Sequence, residues 1–478
     1  MHDNTGKGKL IVHLIVPLLL SMMALAGALL RVYSFNVNDY DYAIFSNLFW
    51  NFAHDNGWRV SLYEGQARVL FLADHLDLLF PLLAAPFYIL FPSPYTYSVL
   101  HSLAFTAVFF LVPIFVREVW KQDGREDYLP AALFLLLALS LFRGFCTAWA
   151  FQATTTLAMP FLLASLIALH RKKLAWVVLF CLLMALTQER ASVAVFGVGM
   201  YALFITKNYR LGLALCAFSA VYFFTAVKLV IPFFSGQGYM YSSNIQPLHD
   251  LDKKAWFLFR FFALWFFLPL LSKRALWAVC CALPLLGLAL VSNRLGMYSF
   301  QHHYQDLQSI FFLAASTFGL LRLSEARWFR RLPRSVLALL ACACLIFAYH
   351  NSKSYVPARL LVKWSPKPEI IQLNTELSIY SRLAPDIRVY ASSGIGPRFS
   401  MRKHRYVLTP EVAARHLSSS MVFVALKQDM YPFKEQADTI VSLLLSNPSL
   451  KLIKHKPELE LLVFASTDLL NEPTAIHK

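Results

Sequence analysis

The chain has 478 residues, 58% of them hydrophobic and 15% charged, with a mean hydropathy of +0.53. A soluble globular protein of this length needs more polar residues than that to cover its core, so composition excludes one and makes the bilayer the solvent. A formal charge of +17 would suit nucleic acid, but the basic residues are scattered through short loops without interleaved aromatics, so no nucleic-acid partner is expected.

Apolar runs predict about eleven membrane-spanning helices, near residues 10–32, 95–116, 129–145, 154–169, 174–188, 191–206, 211–233, 255–271, 275–291, 308–323 and 335–349. The first ends in Arg31-Val32-Tyr33 with no small-residue cleavage site, so it reads as a helix that stays. Placing alternate loops on opposite sides puts 17 Lys/Arg on one face and 8 on the other. The positive-inside rule then predicts a cytoplasmic N-terminus, and an odd number of spans predicts an extracytoplasmic tail. The seven cysteines fall in or beside apolar runs, which indicates neither a disulfide framework nor a CxxC metal site.

Residues 34–94, the first outer loop, contain two apolar or amphipathic stretches, Ala43 to Phe52 and Leu76 to Leu90. The second is interrupted by Asp77, Pro81 and Pro86, and both read as interfacial helices. After Tyr349 the texture becomes that of a soluble protein. Helix-like stretches at Pro368 to Leu383 and Phe433 to Leu445 alternate with strand-like runs at Ile387 to Ala391, Met421 to Leu426 and Leu459 to Ala465. The expected organisation is a membrane domain over residues 1–350 and a small α/β extracytoplasmic domain over 351–478.

No Walker loop, Rossmann fingerprint, HExxH or nucleophile elbow is present, so attention falls on polar residues where the bilayer makes polarity costly. Asp39 and Asp41 lie just beyond the first helix. A carboxylate at such an edge can act as a base on a hydroxyl, or can equally cap the next helix. Asp74, His75 and Asp77 open the second interfacial stretch, where they suit a weak metal site, phosphate binding through His75, or helix capping. Glu189 and Arg190 sit in a short turn, where they either neutralise one another or face an anionic substrate. Arg294, His302, His303 and Tyr304 form an imidazole-rich loop. With Arg59 and Arg68 this loop makes a donor-rich pocket for phosphate, or else a solvated loop with snorkelling side chains.

Several of these features occur together in one family. Tyr40-Asp41-Tyr42-Ala43-Ile44-Phe45, the following Trp50, Ala73-Asp74-His75 and Phe91-Pro92-Ser93-Pro94 resemble an uncharacterised bacterial and archaeal family of polytopic membrane proteins. The likeness continues through Gln188-Glu189-Arg190, His303-Tyr304-Gln305 and Arg398 to Tyr406. It departs at Ala150 to Thr154, which stand where the family tends to have Asp-Phe-His-Pro-Glu, and at Arg190, which follows Glu189 where Asp is common. That family in turn is similar to the GT-C glycosyltransferases, whose outline of many spans, interfacial helices in the first outer loop and an extracytoplasmic tail matches the one derived above.

The resemblance implies an inverting transfer of a sugar from a polyprenyl-phosphate donor to an extracytoplasmic acceptor, with Asp41 as general base and Asp39 second. No cofactor follows with certainty from it, and a divalent metal, Mg or Mn, at Asp74, His75 and Asp77 stays open. The lipid chain would lie in a groove between spans, which the aromatic-rich segments Tyr222 to Phe234 and Trp256 to Phe267 could line unless those aromatics are ordinary packing. Two other readings remain, a multi-pass transporter and a non-enzymatic envelope assembly or sensor protein. Against the first stands the absence of paired Gly/Pro-interrupted helices, with only Lys228 and Arg260 near mid-bilayer. For the second, a tail with 17 Lys/Arg against 11 Asp/Glu would suit an anionic partner.

Overall fold

The computed structural model describes residues 3–37, 39–61, 70–357, 359, 361, 367–384, 386–415, 420–430 and 433–470. Arg68 lies outside them. The chain forms two compact units. One comprises Met1–Ala28, Leu72–Leu79 and Leu100–Val362; the other comprises Leu29–Phe71, Phe80–Val99 and Lys363–Lys478.

In chain order the principal helices of the first 352 residues are α1 (Gly6–Tyr33), α2 (Ile44–Ala53), α3 (Leu79–Leu90), α4 (Thr96–Gln122), α5 (Leu129–Leu141), α6 (Arg143–Phe151) and α7 (Met159–His170). They continue with α8 (Leu174–Ala185), α9 (Glu189–Phe204), α10 (Tyr209–Ser235), α11 (Leu251–Leu264), α12 (Lys273–Val291), α13 (Asp306–Glu325) and α14 (Arg334–Ser352). Among the described residues six helices are long and apolar enough to cross a membrane, or seven if α5 and α6, bent by 54°, form one span. The remaining expected spans coincide with shorter elements. Breaks explain the shortening: the 154–169 run begins with a 3-10 turn at Thr154–Ala158, and α11 covers only part of 255–271.

The bend at Phe142 needs close approach. A Cβ on Gly144 would meet the Phe142 ring at 2.6 Å and Gln305 Cβ at 2.8 Å, so only glycine lets α6 start there. α13 is the axis of the helical unit, buried continuously from Asp306 to Gly319. α14 is the opposite case, with Leu339 70% and Ile346 67% exposed. Large apolar side chains on that scale would be a liability in water and are ordinary against lipid.

In the second unit a five-stranded mixed sheet is built from β1 (Arg388–Ala391), β2 (Arg405–Val407), β3 (Met421–Leu426), β4 (Leu450–Lys456) and β5 (Leu461–Ser466), in the order β2-β1-β3-β5-β4. β1 runs parallel to β2 and β3, while β5 is antiparallel to β3 and β4. Every residue of β3 and β5 is buried because the sheet is covered on both faces, which is why both read as unbroken apolar runs. Leu373, Leu377 and Tyr380 of α15 (Pro368–Ser381) cover one face, and Ile440 and Leu444 of α16 (Ala437–Ser446) cover the other. β4 is an edge strand whose Lys454 and Lys456 reach Glu376, at 3.4 and 3.5 Å, and lysines on an edge discourage pairing with another chain.

The same unit includes α2, which is buried from Phe45 to Asn51. Asn47 Nδ2 donates to the carbonyls of Ser400 (2.7 Å) and Arg402 (2.9 Å), while its Oδ1 accepts from the Ser61 amide (2.9 Å). Ser61 Oγ donates to the Lys403 carbonyl at 2.7 Å. One buried amide side chain thus satisfies backbone groups of two segments that are far apart in sequence. α3 differs from α2: Leu82, Leu83, Phe87, Ile89 and Leu90 point outward while Tyr88 is buried. Helices therefore occupy both stretches of the first loop, α2 buried within its unit and α3 wearing an apolar outer face.

Candidate active site

In the helical unit the segment Asp74 to Leu79 is tied to the turn before α9 by backbone bonds, with the amides of Leu78 and Leu79 both donating to the Leu186 carbonyl at 3.0 and 2.9 Å. The start of α3 is thus capped through tertiary structure. That contact sets His75 beside Glu189, which is 1% exposed and opens α9. Glu189 Oε1 accepts from His75 Nδ1 at 2.8 Å and from the Tyr239 hydroxyl at 3.3 Å, and its Oε2 accepts from the Leu76 amide at 3.0 Å.

Burial opposes a charge on His75, but the carboxylates of Glu189, Asp74 and Asp77 outweigh it and raise its pKa to about 9. The ring is therefore an imidazolium at neutral pH, with both N–H groups donating. Nε2 points to the Tyr241 hydroxyl at 3.3 Å, which donates onward to Asp74 Oδ1 at 2.9 Å. His75 and Tyr241 stack with centroids 5.4 Å apart. The phenols of Tyr239 and Tyr241 are pushed up by burial, then by Glu189 and Asp74 respectively, so both remain neutral donors.

Next along α9, Arg190 donates to Asp306 Oδ1 at 2.9 Å and to the Tyr304 carbonyl, and its guanidinium lies 5.4 Å from the Tyr304 ring centre. Asp306 is fully buried, and its Oδ1 also accepts the Leu307 amide at 2.7 Å. His303 packs on Tyr304 at 4.4 Å, and His302 on Phe151 at 4.9 Å. Burial, then the nearby Arg294, lowers the pKa of His302, so it is neutral at pH 7. Arg294 itself is exposed.

The structure thus gathers His75, Glu189, Arg190, His302, His303 and Tyr304 on neighbouring segments of one unit. Glu189 and Arg190 do not neutralise one another; each takes a partner from a different segment. Among the described residues no group of three or more His, Cys, Asp or Glu side chains is arranged to hold a metal, and Asp74 and His75 are directed at Tyr241 and Glu189. Asp77 is fully buried. Tyr239, Tyr241 and Asp306 were not singled out from sequence. The Tyr239-Met240-Tyr241 pair in a polar loop was the available signal for two of them.

Asp39 and Asp41 belong to the other unit, on the helical turn Asp39–Ala43 that leads into α2, whose N-cap position is Ala43. Asp41 is half-buried, and the turn packs beside the 3-10 turn Gly396–Phe399. Arg59, in the same unit, is exposed, and its carbonyl accepts from Asn51 at 2.9 Å.

A family model described as "Predicted membrane protein (DUF2079)" matches residues 31–454. Among solved structures the chain is similar to ArnT from Cupriavidus metallidurans bound to undecaprenyl phosphate. Identity is 14% and TM-score 0.58, with 96% of this chain and 98% of that one covered. The apo form of the same protein matches with the same identity and coverage and a TM-score of 0.56. No curated protein matches. The fold is therefore GT-C-like: a polytopic helical membrane protein with a small C-terminal sheet region.

Proposed function

The chain belongs to the DUF2079 family of predicted membrane proteins, and from that membership and its fold we propose that it is a membrane glycosyltransferase using a polyprenyl-phosphate-linked sugar. The observation that carries this reading is the end-to-end likeness to ArnT, a protein whose structure holds undecaprenyl phosphate. The N-terminus is cytoplasmic and the tail extracytoplasmic in this proposal, in keeping with the bias of Lys and Arg between loops.

In the reaction, the Asp41 carboxylate accepts the proton of an acceptor hydroxyl. The acceptor oxygen bonds to the anomeric carbon from the face opposite the phosphate, and the carbon–oxygen bond to the phosphate breaks with its electron pair leaving on the lipid phosphate. Configuration inverts. Asp39 is the second candidate for the base. Positive charge that is fixed before reaction stabilises the departing anion without reorganisation. Arg59, exposed and in the same unit as Asp41, is a partner for it in this proposal. Within the helical unit His75, which Glu189 keeps protonated while 22% of the side chain stays accessible, and the exposed Arg294 are candidates to bind an anion in their own right. Arg190 is a positioning residue, because Asp306 and the Tyr304 carbonyl already occupy it.

The test is sugar transfer from labelled polyprenyl-phosphate sugars in membranes holding the wild type or Asp41→Asn. Loss of a general base lowers transfer about 10²–10⁴-fold. Equal rates would remove Asp41 from the mechanism, and no transfer by the wild type from any such donor would remove the function.

A further inference from the structure

Three arginines lie within eight residues of the tail, and two are spent on structure. Arg402 donates to the carbonyls of Ile387, Tyr380 and Ser381 at 3.2, 3.4 and 3.3 Å, and Arg405 donates to the Ser61 carbonyl at 3.1 Å. Arg398 is different. Its guanidinium sits between two aromatic rings, 5.4 Å from the centre of Phe35 and 5.1 Å from that of Tyr95. Among the described residues no hydrogen bond or ion pair engages its guanidinium, whereas the buried Nε atoms of all three arginines have no acceptor. A half-buried guanidinium in cation–π contact with two rings, with its donors unspent, is available for a two-point contact with an anion.

Its surroundings say which anion. Phe35 lies two residues beyond the end of α1, a helix long enough to cross the bilayer, and Tyr95 lies five residues beyond the end of α3. The outward face of α3 is apolar at Leu82, Leu83, Phe87, Ile89 and Leu90, and Phe91 beyond it is 66% exposed. Arg398 also stands on the 3-10 turn that packs against the Asp39–Ala43 turn. A cation at the end of an apolar helix face, beside the turn bearing Asp41, matches an anionic head joined to a long hydrocarbon chain.

We propose that Arg398 holds the phosphate of a polyprenyl phosphate, with the first part of the chain lying along α3. This rests on the glycosyltransferase reading above and adds a phosphate-binding residue from the tail. Binding of undecaprenyl phosphate and of uncharged undecaprenol is to be measured on the purified full-length chain in detergent, for the wild type, Arg398→Gln, Arg398→Lys and Phe35→Leu. The wild type should prefer the phosphate. Arg398→Gln should weaken phosphate-lipid binding about ten- to a hundredfold while leaving undecaprenol binding unchanged, as loss of charge-assisted hydrogen bonds predicts. Arg398→Lys should restore part of the loss, and Phe35→Leu should weaken binding less than Arg398→Gln does.

If Arg398→Gln keeps the wild-type preference, the arginine has no such role and the glycosyltransferase reading stands. A wild type with no preference for the phosphate overturns both. Should inorganic phosphate compete as well as the lipid does, and only when Arg398 is present, the site belongs to a soluble anion and the lipid assignment falls. Arg398→Gln could fail to fold, which its thermal midpoint would report. Arg398→Lys then decides, because a folded Arg398→Lys chain that binds undecaprenyl phosphate no better than undecaprenol also overturns the assignment.

Discussion

The two units bury charge in different ways. In the helical unit buried charge meets opposite charge across long stretches of chain, His75 with Glu189 and Arg190 with Asp306. In the sheet unit buried arginines meet neutral backbone carbonyls, as Arg402 does at the end of α15. Burial pulls the pKa of Arg402 down to about 10, yet it stays charged at neutral pH. The two arrangements fail differently. Removing one member of an ion pair strands its partner's full charge, whereas removing an arginine from carbonyls strands only dipoles.

The largest effect should therefore come from Arg190→Leu, which leaves Asp306 buried and uncompensated. About 3–5 kcal/mol of stability should be lost, measured by denaturant unfolding in detergent. The double substitution Arg190→Leu with Asp306→Leu should recover most of it, and additive losses would show that the pair is not coupled. Arg402→Met should cost less, about 1–3 kcal/mol, by leaving the carbonyls at the end of α15 without a donor. A loss as large as that of Arg190→Leu would erase the contrast between the units.

Alkali distinguishes the units further. His75 has a pKa raised above that of the unfolded chain, so its pairing with Glu189 contributes fully below about 6.5 and is lost as pH rises through about 9. The thermal midpoint of the wild type should fall over that window and that of His75→Gln should not; parallel curves would locate the titration elsewhere. Smallest of all should be Arg274→Ala. That pair joins Asp123 at 2.8 Å with the arginine 59% exposed, and it is worth about 0.2–1 kcal/mol in the same unfolding experiment.

Much of the fold was legible because its signals are local. A proline at Pro368 and helical spacing marked α15, and continuous apolar runs marked β3 and β5. β2 and β4 were not read. β2 has three residues and begins with a buried arginine, and β4 is a partly exposed edge strand rich in lysine, which looks like a loop. The polar cluster was half legible. His75, Glu189 and Arg190 stood out as charges between apolar runs, but their partners did not. Asp306 resembles any acidic residue opening a helix, and its arginine lies 116 positions earlier. Nothing in local sequence separates Arg398, held between rings, from Arg402, which binds carbonyls.

The bonds from Asn47 to the backbone at Ser400 and Arg402 also set a timetable. Residue 47 is synthesised more than 350 positions before its partners, as separations of 353 and 355 record. At ~5–20 residues per second the first loop waits roughly 20–70 s for them. Throughout that interval α2 has no sheet to pack against and the polar side chains of Asn47 and Ser61 must be satisfied by water. The loop that carries the proposed base is thus the first part of the second unit to be made and among the last to be finished. A chain ending before Ser400 would have every membrane-spanning helix and an unfinished loop.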